Sequence, residues 1–288
     1  SSSPTARTSF DTILDCATAM LTTQFVGSTQ EKLNDDEAAK LWGKSGLQPA
    51  DDKEATVVEL LHLAAKEGNM QVLKSLIEDS RVNPNMRDRK GWTCLLRATK
   101  SSKLEVIEFL IRQKVDLNAQ TKQGNSALHK AAKQSRVEAA NLIIKAGADL
   151  NIRNEGGATP LMMAAMHKQS DHLLKLLVKA QADVNAQKDV GYTALMVAAR
   201  YGNGRAVSEL IQAKALINVQ DKAGETALDK AIKHHKDEVA QILTMSGGSG
   251  RLRGQMKLSD SKRAAVTGGS NASGIRRSTR QSTTAPSK

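Results

Sequence analysis

Five glycines recur at nearly equal spacing through the middle of this 288-residue chain, and this period restricts the fold more than any other feature. Gly91, Gly124, Gly157, Gly191 and Gly224 lie 33, 33, 34 and 33 residues apart. Each is followed two positions later by Thr or Ser and four positions later by Leu, and an Asn precedes each by six positions. A period of this length indicates stacked structural repeats, each too small to bury a core by itself.

Each recurring position has a physical reason. Glycine suits a tight turn with positive φ, where a Cβ would clash. The Thr or Ser that follows is a good helix N-cap, and Pro160 stands directly after Thr159 at the first helical position, where its missing N–H costs nothing. A pair of small residues such as Ala164-Ala165 then lets two helices approach closely. A second amphipathic stretch follows in every unit, so we predict two short helices per repeat and six repeats between about residues 55 and 245.

The pattern resembles the ankyrin-repeat family. The resemblance is carried by Gly157-Ala-Thr-Pro-Leu-Met-Met-Ala-Ala165, by Ser126-Ala-Leu-His129 and by Lys145-Ala-Gly-Ala-Asp-Leu-Asn151, and it covers about two-thirds of the chain. It implies an all-α solenoid of helix-turn-helix units with β-turn or hairpin tips, whose tips and first helices line a concave, partner-binding face.

The sequence also departs from the family pattern in the turns between paired helices. Glycine is kept there only at Gly68 and Gly202, Ser101-Ser102 and Gln134-Ser135 replace it in two other units, and the fourth unit has one extra residue near His167. We therefore predict locally altered loops rather than a different fold.

Charge divides the chain into three segments. Residues 1–54 have five Lys or Arg against nine Asp or Glu, whereas residues 246–288 have nine against Asp260 alone, and the whole chain has a formal charge of +12. Apolar positions in 8–26 predict an N-terminal helix that caps the first repeat, or alternatively one offered to a partner's groove. The Ser/Thr/Gly-rich segment 246–288 is predicted to be a disordered, basic arm.

The sequence contains no pattern typical of an active site. It has no phosphate-binding loop, no H-E-x-x-H and no G-x-S-x-G motif, and its only cysteines are Cys16 and Cys94. His234 and His235 are adjacent, so on a helix they point in different directions and cannot share a metal ion. We therefore predict that the chain is not an enzyme and has no cofactor and no metal ion.

Binding residues are predicted at the tips and at the ends of the first helices. The residue after the small pair is basic in five of the six units, and two of the few aromatic residues follow a repeat glycine. Aromatic and Arg side chains often dominate binding interfaces. The predicted protein-interaction residues are Arg89, Lys90, Trp92, Lys100, Lys133, Tyr192, Arg200 and Lys233. The alternative for the basic positions is structural, since a cation near a helix C-terminus stabilises the helix dipole.

The resulting functional hypothesis is a non-catalytic adaptor or scaffold that binds an acidic protein surface, with the basic segment as an electrostatic arm. The alternative is a nucleic-acid-associated protein that contacts phosphates, and peripheral membrane binding comes third. A cytoplasmic or nuclear location is expected, with cytoskeletal association or an organelle as alternatives, and the oligomeric state is left open. The basic residues at 276–280 suggest phosphorylation at Ser278, Thr279 and Ser282. The resemblance to ankyrin repeats implies hydroxylation of Asn118, Asn151 and Asn185.

Overall fold

The computed structural model describes residues 53–78 and 82–252, which contain twelve α-helices and no strand. The helices form six consecutive pairs. Their bounds are α1 Lys53–Glu67, α2 Met70–Glu78, α3 Cys94–Ser101, α4 Leu104–Arg112, α5 Ala127–Gln134, α6 Val137–Lys145, α7 Pro160–Met166, α8 Asp171–Lys179, α9 Ala194–Tyr201, α10 Gly204–Gln212, α11 Ala227–Lys233 and α12 Asp237–Met245. The all-α solenoid of six helical repeats is thereby confirmed.

The helices are arranged in two layers. Each first helix packs against the first helices of its neighbours, from α1 through α3, α5, α7 and α9 to α11, and from α4 onward each second helix likewise packs against the next second helix. The repeated Leu and the small residues of the first helices are buried between units, as Leu128, Ala131 and Ala132 show at 2%, 0% and 0% exposure. Burial is therefore shared between repeats, as a stack of units without individual cores requires.

The predicted helix caps are present at the first helices. Thr93, Ser126, Thr159, Thr193 and Thr226 all have extended backbones, and each side-chain oxygen accepts a hydrogen bond from an N–H in the first turn. The five repeat glycines all have positive φ. The periodic asparagines link neighbouring repeats, because each accepts a hydrogen bond from a backbone N–H about one repeat further along the chain.

The prediction of altered loops is wrong for two of the turns between paired helices. Ser102 and Ser135 have φ values of 57° and 56°, close to the 69° of Gly202, so serine adopts the same left-handed conformation there. This costs about 1–2 kcal/mol per residue. The fourth repeat does differ, because a 3₁₀ turn at Lys168–Ser170 accommodates the extra residue and buries Ser170.

The last repeat continues past the predicted boundary at residue 245. The N–H of Ser249 donates to Asn218 Oδ1 at 2.8 Å, and the N–H of Leu252 donates to Asp229 Oδ1 at 2.7 Å. Residues 246–252 thus pack on the sixth unit instead of forming the start of a free arm. The predicted N-terminal cap, the rest of the basic arm and the proposed phosphorylation sites at 278, 279 and 282 lie outside the described residues.

None of the helices in 53–78 and 82–252 is long and apolar enough to cross a bilayer.

Candidate functional site

Tight turns project the repeat tips away from the first helices. In the second repeat the N–H of Gly91 donates to the carbonyl of Asp88 at 2.8 Å, and Asp88 Oδ1 accepts from the N–H groups of Lys90 and Trp92, both at 2.8 Å. The Arg89 and Lys90 side chains are exposed at this apex. The turn therefore places two predicted binding residues where a partner can reach them.

A shallow cavity of about 340 Å³ separates the tips of the second and third repeats. It is lined by Arg89, Lys90, Trp92, Thr121, Lys122 and Gln123. Three of these six residues carry positive charge and none carries negative charge. The cavity therefore suits an anionic group better than a cationic one.

The five basic residues at the ends of the first helices are all exposed and share one register. They are Lys66, Lys100, Lys133, Arg200 and Lys233, and the fourth repeat has the half-buried Met166 at this position. The tips are the turns that contain the repeat glycines. We call the six helix-end positions and these tips together the inner face. Lys66 forms a salt bridge with Glu67, and Lys233 forms one with Glu225, both at 2.8 Å. In the described part of the chain, no carboxylate lies within salt-bridge distance of Lys100 or Lys133.

Trp92 is the centre of a group of cations. Lys130 Nζ lies 4.6 Å from the ring centroid, Arg97 Cζ 4.8 Å and Lys100 Nζ 5.5 Å. The ring is half-buried and packs against the hydrophobic core. Trp92 therefore has a packing role as well, which the sequence pattern did not indicate.

Tyr192 is surrounded in a similar way in the fifth repeat. Lys230 Nζ lies 4.5 Å from its ring centroid and Lys188 Nζ 4.8 Å. Lys230 is 3% exposed and forms salt bridges with Asp221, at 2.5 Å, and with Glu225. This buried cation is therefore neutralised within the chain itself.

The pKa values of the two lysines beside these rings are shifted in opposite directions. Burial, followed by the positive charges of Lys133 and Lys100, lowers the pKa of Lys130. Burial would also lower the pKa of Lys230, but its hydrogen bonds to Asp221 and Glu225 dominate and raise it. The pKa of Glu225 is lowered, mainly because it accepts hydrogen bonds from Lys230 and Lys233.

The sequence pattern missed the four cations that lie within 5 Å of the two ring centroids, which are Arg97, Lys130, Lys188 and Lys230. Arg97, Lys130 and Lys230 each lie six residues after a repeat glycine, so a comparison of the repeats at that position could have identified them. Arg97 is paired with Asp88, which is partly buried and whose pKa is lowered despite that burial. Arg97 therefore fastens its helix to the tip, whereas Lys130 contributes positive charge.

The buried polar residues have structural roles. His129 Nδ1 accepts from the N–H of Ser126 at 3.2 Å, and its Nε2 lies 2.8 Å from the carbonyl of Ala158. Cys94 is buried, and this burial raises the pKa of its thiol far above the ordinary value. No cluster of three metal-ligating side chains occurs within residues 53–78 and 82–252. The raised pKa keeps the Cys94 thiol protonated, so this residue is not an activated nucleophile.

Comparisons with solved structures agree with this architecture. An ankyrin repeat domain from Acinetobacter baumannii AYE is 29% identical, covers 66% of this chain and 98% of that one, and superposes with a TM-score of 0.60. A chain from the structure of a predatory endopeptidase from Bdellovibrio bacteriovorus in complex with an immunity protein is 30% identical, covers 64% and 96%, and has a TM-score of 0.55.

Among curated proteins, alpha-latroinsectotoxin-Lt1a of Latrodectus tredecimguttatus is 32% identical over 57 residues, which make up 20% of this chain and 4% of the toxin. The similarity to that protein is therefore confined to a short segment.

The model of the family described as ankyrin repeats (three copies) matches residues 61–154 and again residues 155–250. These two matches span most of the described residues and coincide with the six helical pairs. The chain belongs to the ankyrin-repeat family.

Proposed function

We propose that this protein is a non-catalytic adaptor that binds an acidic surface of a partner protein through its inner face. Ankyrin repeats generally mediate protein–protein interaction. The observation that carries the choice of an acidic partner is the row of exposed cations at one register, in which Lys100 and Lys133 have no carboxylate within salt-bridge distance among the described residues. Positive charge that is not neutralised by the described residues attracts an acidic surface and speeds its association.

Stabilisation of the helix dipole does not by itself explain the arrangement of these cations. A cation in the last turn of a helix stabilises the dipole by about 0.3–1 kcal/mol at an exposed site. This explanation applies equally to Lys233, which nevertheless has a carboxylate partner in Glu225. It therefore leaves unexplained why Lys100, Lys133 and Arg200 have no such partner among the described residues, and binding to an external acidic group explains that difference.

The proposal is tested in two steps with the full chain. Crosslinking mass spectrometry in native extract identifies the partner, and the affinity of the purified pair is then measured by calorimetry. We expect Lys100→Glu combined with Lys133→Glu to weaken binding at least tenfold. The matched control, Lys145→Glu with Lys179→Glu, changes the charge equally at exposed positions of the second helices and should leave affinity nearly unchanged. Equal losses in both variants, or crosslinks confined to the second helices, would contradict the proposal.

The nucleic-acid alternative is supported by the excess of nine basic residues over one acidic residue in 246–288. It requires retention of RNA or DNA at low salt and a steep loss of affinity as salt rises. Removal of residues 253–288, which leaves the packed segment 246–252 intact, should make that salt dependence shallower. If no nucleic acid binds at low salt, this alternative is excluded.

We further propose that the protein acts in a reducing compartment such as the cytoplasm or nucleus. The support is the low cysteine content, with Cys94 as a free buried thiol. Fluorescence microscopy of the tagged full-length protein tests this proposal, and a secreted or lumenal location would contradict it.

A further inference from the structure

Two sites on the inner face are built on the same plan. Trp92 and Tyr192 both directly follow a repeat glycine, and each ring has a Lys from the next repeat nearby, with Lys130 Nζ at 4.6 Å from one centroid and Lys230 Nζ at 4.5 Å from the other. Both lysines lie six residues after their own repeat glycine. We call these the Trp92 site and the Tyr192 site.

The two sites differ in how the lysine is neutralised. At the Tyr192 site, Asp221 and Glu225 form salt bridges with Lys230, and Glu225 also binds Lys233 at 2.8 Å. These acids lie three residues before and one residue after Gly224. The same positions around Gly124 hold Thr121 and Asn125, which carry no charge.

At the Trp92 site, Arg97 is paired with Asp88, but Lys100, Lys130 and Lys133 have no counter-charge among the described residues. Lys130 is half-buried, and Lys133 and Lys100 are close enough to lower its pKa further. In the described residues no carboxylate lies within salt-bridge distance of any of the three. Cations placed together in this way repel one another, and an external anion between them would relieve that repulsion.

We propose that the Trp92 site binds a carboxylate from a Glu- or Asp-rich segment of the partner, in the position that the Glu225 carboxylate takes at the Tyr192 site. This inference rests on the proposed function and assigns it to one place on the inner face. Lys130 and Lys133 would hold the carboxylate as Lys230 and Lys233 hold that of Glu225. The face of Trp92 would keep Lys130 in position through the cation–π contact.

The internal site also indicates why the ligand is a carboxylate of a protein. Two lysines at this register already bind one Glu side chain at the Tyr192 site, so the spacing is suited to a group of that size. The Arg89, Lys90 and Lys122 side chains beside the adjoining cavity provide further positive charge along the path of an acidic segment.

The test transfers the acids of the Tyr192 site to the Trp92 site. Thr121→Asp with Asn125→Glu gives Lys130 and Lys133 the same internal partners that Lys230 and Lys233 have. The substitution at position 121 suits the turn, because Asp88 and Asp221 occupy the same place in other repeats and accept the same backbone hydrogen bonds. We expect this variant to fold with at least the stability of the wild type.

The ligand probe is capped hexaglutamate, titrated at low salt into the full chain. Binding is followed by NMR through the indole N–H resonance of Trp92, which is assigned by its absence from Trp92→Phe. We expect the acid-transfer variant to bind the peptide at least tenfold more weakly than the wild type. Lys145→Gln with Lys179→Gln lowers the net charge by the same two units at the second helices and should bind normally.

Three results of the hexaglutamate and DNA titrations would overturn the inference. One is equal hexaglutamate binding by the wild type and the acid-transfer variant, and another is equal weakening in the matched charge control. The third concerns a six-nucleotide single-stranded DNA. If the wild type binds this DNA more strongly than hexaglutamate, and the acid-transfer variant loses the DNA binding, the site is a phosphate site. If Lys100→Glu with Lys133→Glu abolishes partner binding but the acid-transfer variant does not, the proposed function stands and only this site assignment fails.

Discussion

Asn118 Oδ1 accepts a hydrogen bond from the backbone N–H of Asp149, 31 residues further along the chain, at 2.9 Å. Four other asparagines form the same link between neighbouring repeats. They are Asn85 to Asp116, Asn151 to Asp183, Asn185 to Leu216 and Asn218 to Ser249, at distances of 2.8–2.9 Å. The asparagine periodicity therefore has a structural cause, and hydroxylation of Asn118, Asn151 and Asn185 stays a prediction.

Replacement of one such asparagine should weaken the coupling between two repeats. We expect Asn118→Ala to lower the free energy of unfolding by about 1 kcal/mol, because the N–H of Asp149 loses its partner. Asn118→Asp keeps an acceptor oxygen and should lose less. Urea unfolding followed by circular dichroism measures both values, and an equal loss in the two variants would contradict the role assigned to the acceptor.

Gly124 should tolerate substitution less than Gly147, because the tip that contains Gly124 is in close contact with the next tip. A Cβ at Gly124 would lie 2.5 Å from the backbone nitrogen of Glu155, whereas a Cβ at Gly147 would meet nothing within 4 Å. Both residues have left-handed backbones, with φ of +71° and +90°. The two positions thus share conformational strain and differ in steric contact.

We therefore predict a larger destabilisation for Gly124→Ala than for Gly147→Ala. Both lose about 1–2 kcal/mol to the left-handed conformation, and Gly124→Ala loses about 1–3 kcal/mol more because the backbone of the next tip must move. Thermal unfolding of the two variants provides the comparison. Similar losses would show that the tips are free to separate.

The sequence pattern predicted what each repeat does by itself and was less informative about contacts between repeats. The N-caps, the tight turns and both helices follow from local residue preferences, so their positions were predictable. The contact between Trp92 and Lys130 joins residues 38 positions apart, and its importance depends on the neutral side chains of Thr121 and Asn125. The lack of a carboxylate beside Lys130 among the described residues can be recognised only when the contact between the second and third repeats is compared with the contact between the fifth and sixth.

Residue type led to a wrong prediction at two places, and the physical reason is the same at both. The glycine- and serine-rich segment after Met245 has the composition of a linker, yet residues 246–252 complete the hydrogen bonds of the last repeat. Ser102 and Ser135 lack the conformational freedom of glycine but adopt its left-handed backbone. In both cases hydrogen bonds outweigh the local preference of the residues, since the N–H groups of Ser102 and Ser135 cap the helices that precede them.

The buried His129 should make stability depend on pH. Burial lowers the pKa of His129 below its ordinary value near 6.5, although its hydrogen bond to the Ala158 carbonyl acts in the opposite direction. Protonation would also replace the acceptor at Nδ1, which receives the N–H of Ser126, with a second donor. The unfolded chain therefore binds a proton at this residue more readily than the folded chain does.

We expect the free energy of unfolding to be nearly constant between about pH 7 and pH 8 and to fall as the pH drops below about 6.5, because a group with a lowered folded-state pKa favours the unfolded state there. One such histidine contributes at most about 1.4 kcal/mol per pH unit. His129→Gln should be less stable at pH 7.5 but show a shallower decline between pH 6.5 and 5. His62 and His234, whose pKa values are also lowered by burial, contribute to the remaining slope. An unchanged slope in His129→Gln, measured by urea unfolding across this range, would contradict the assignment.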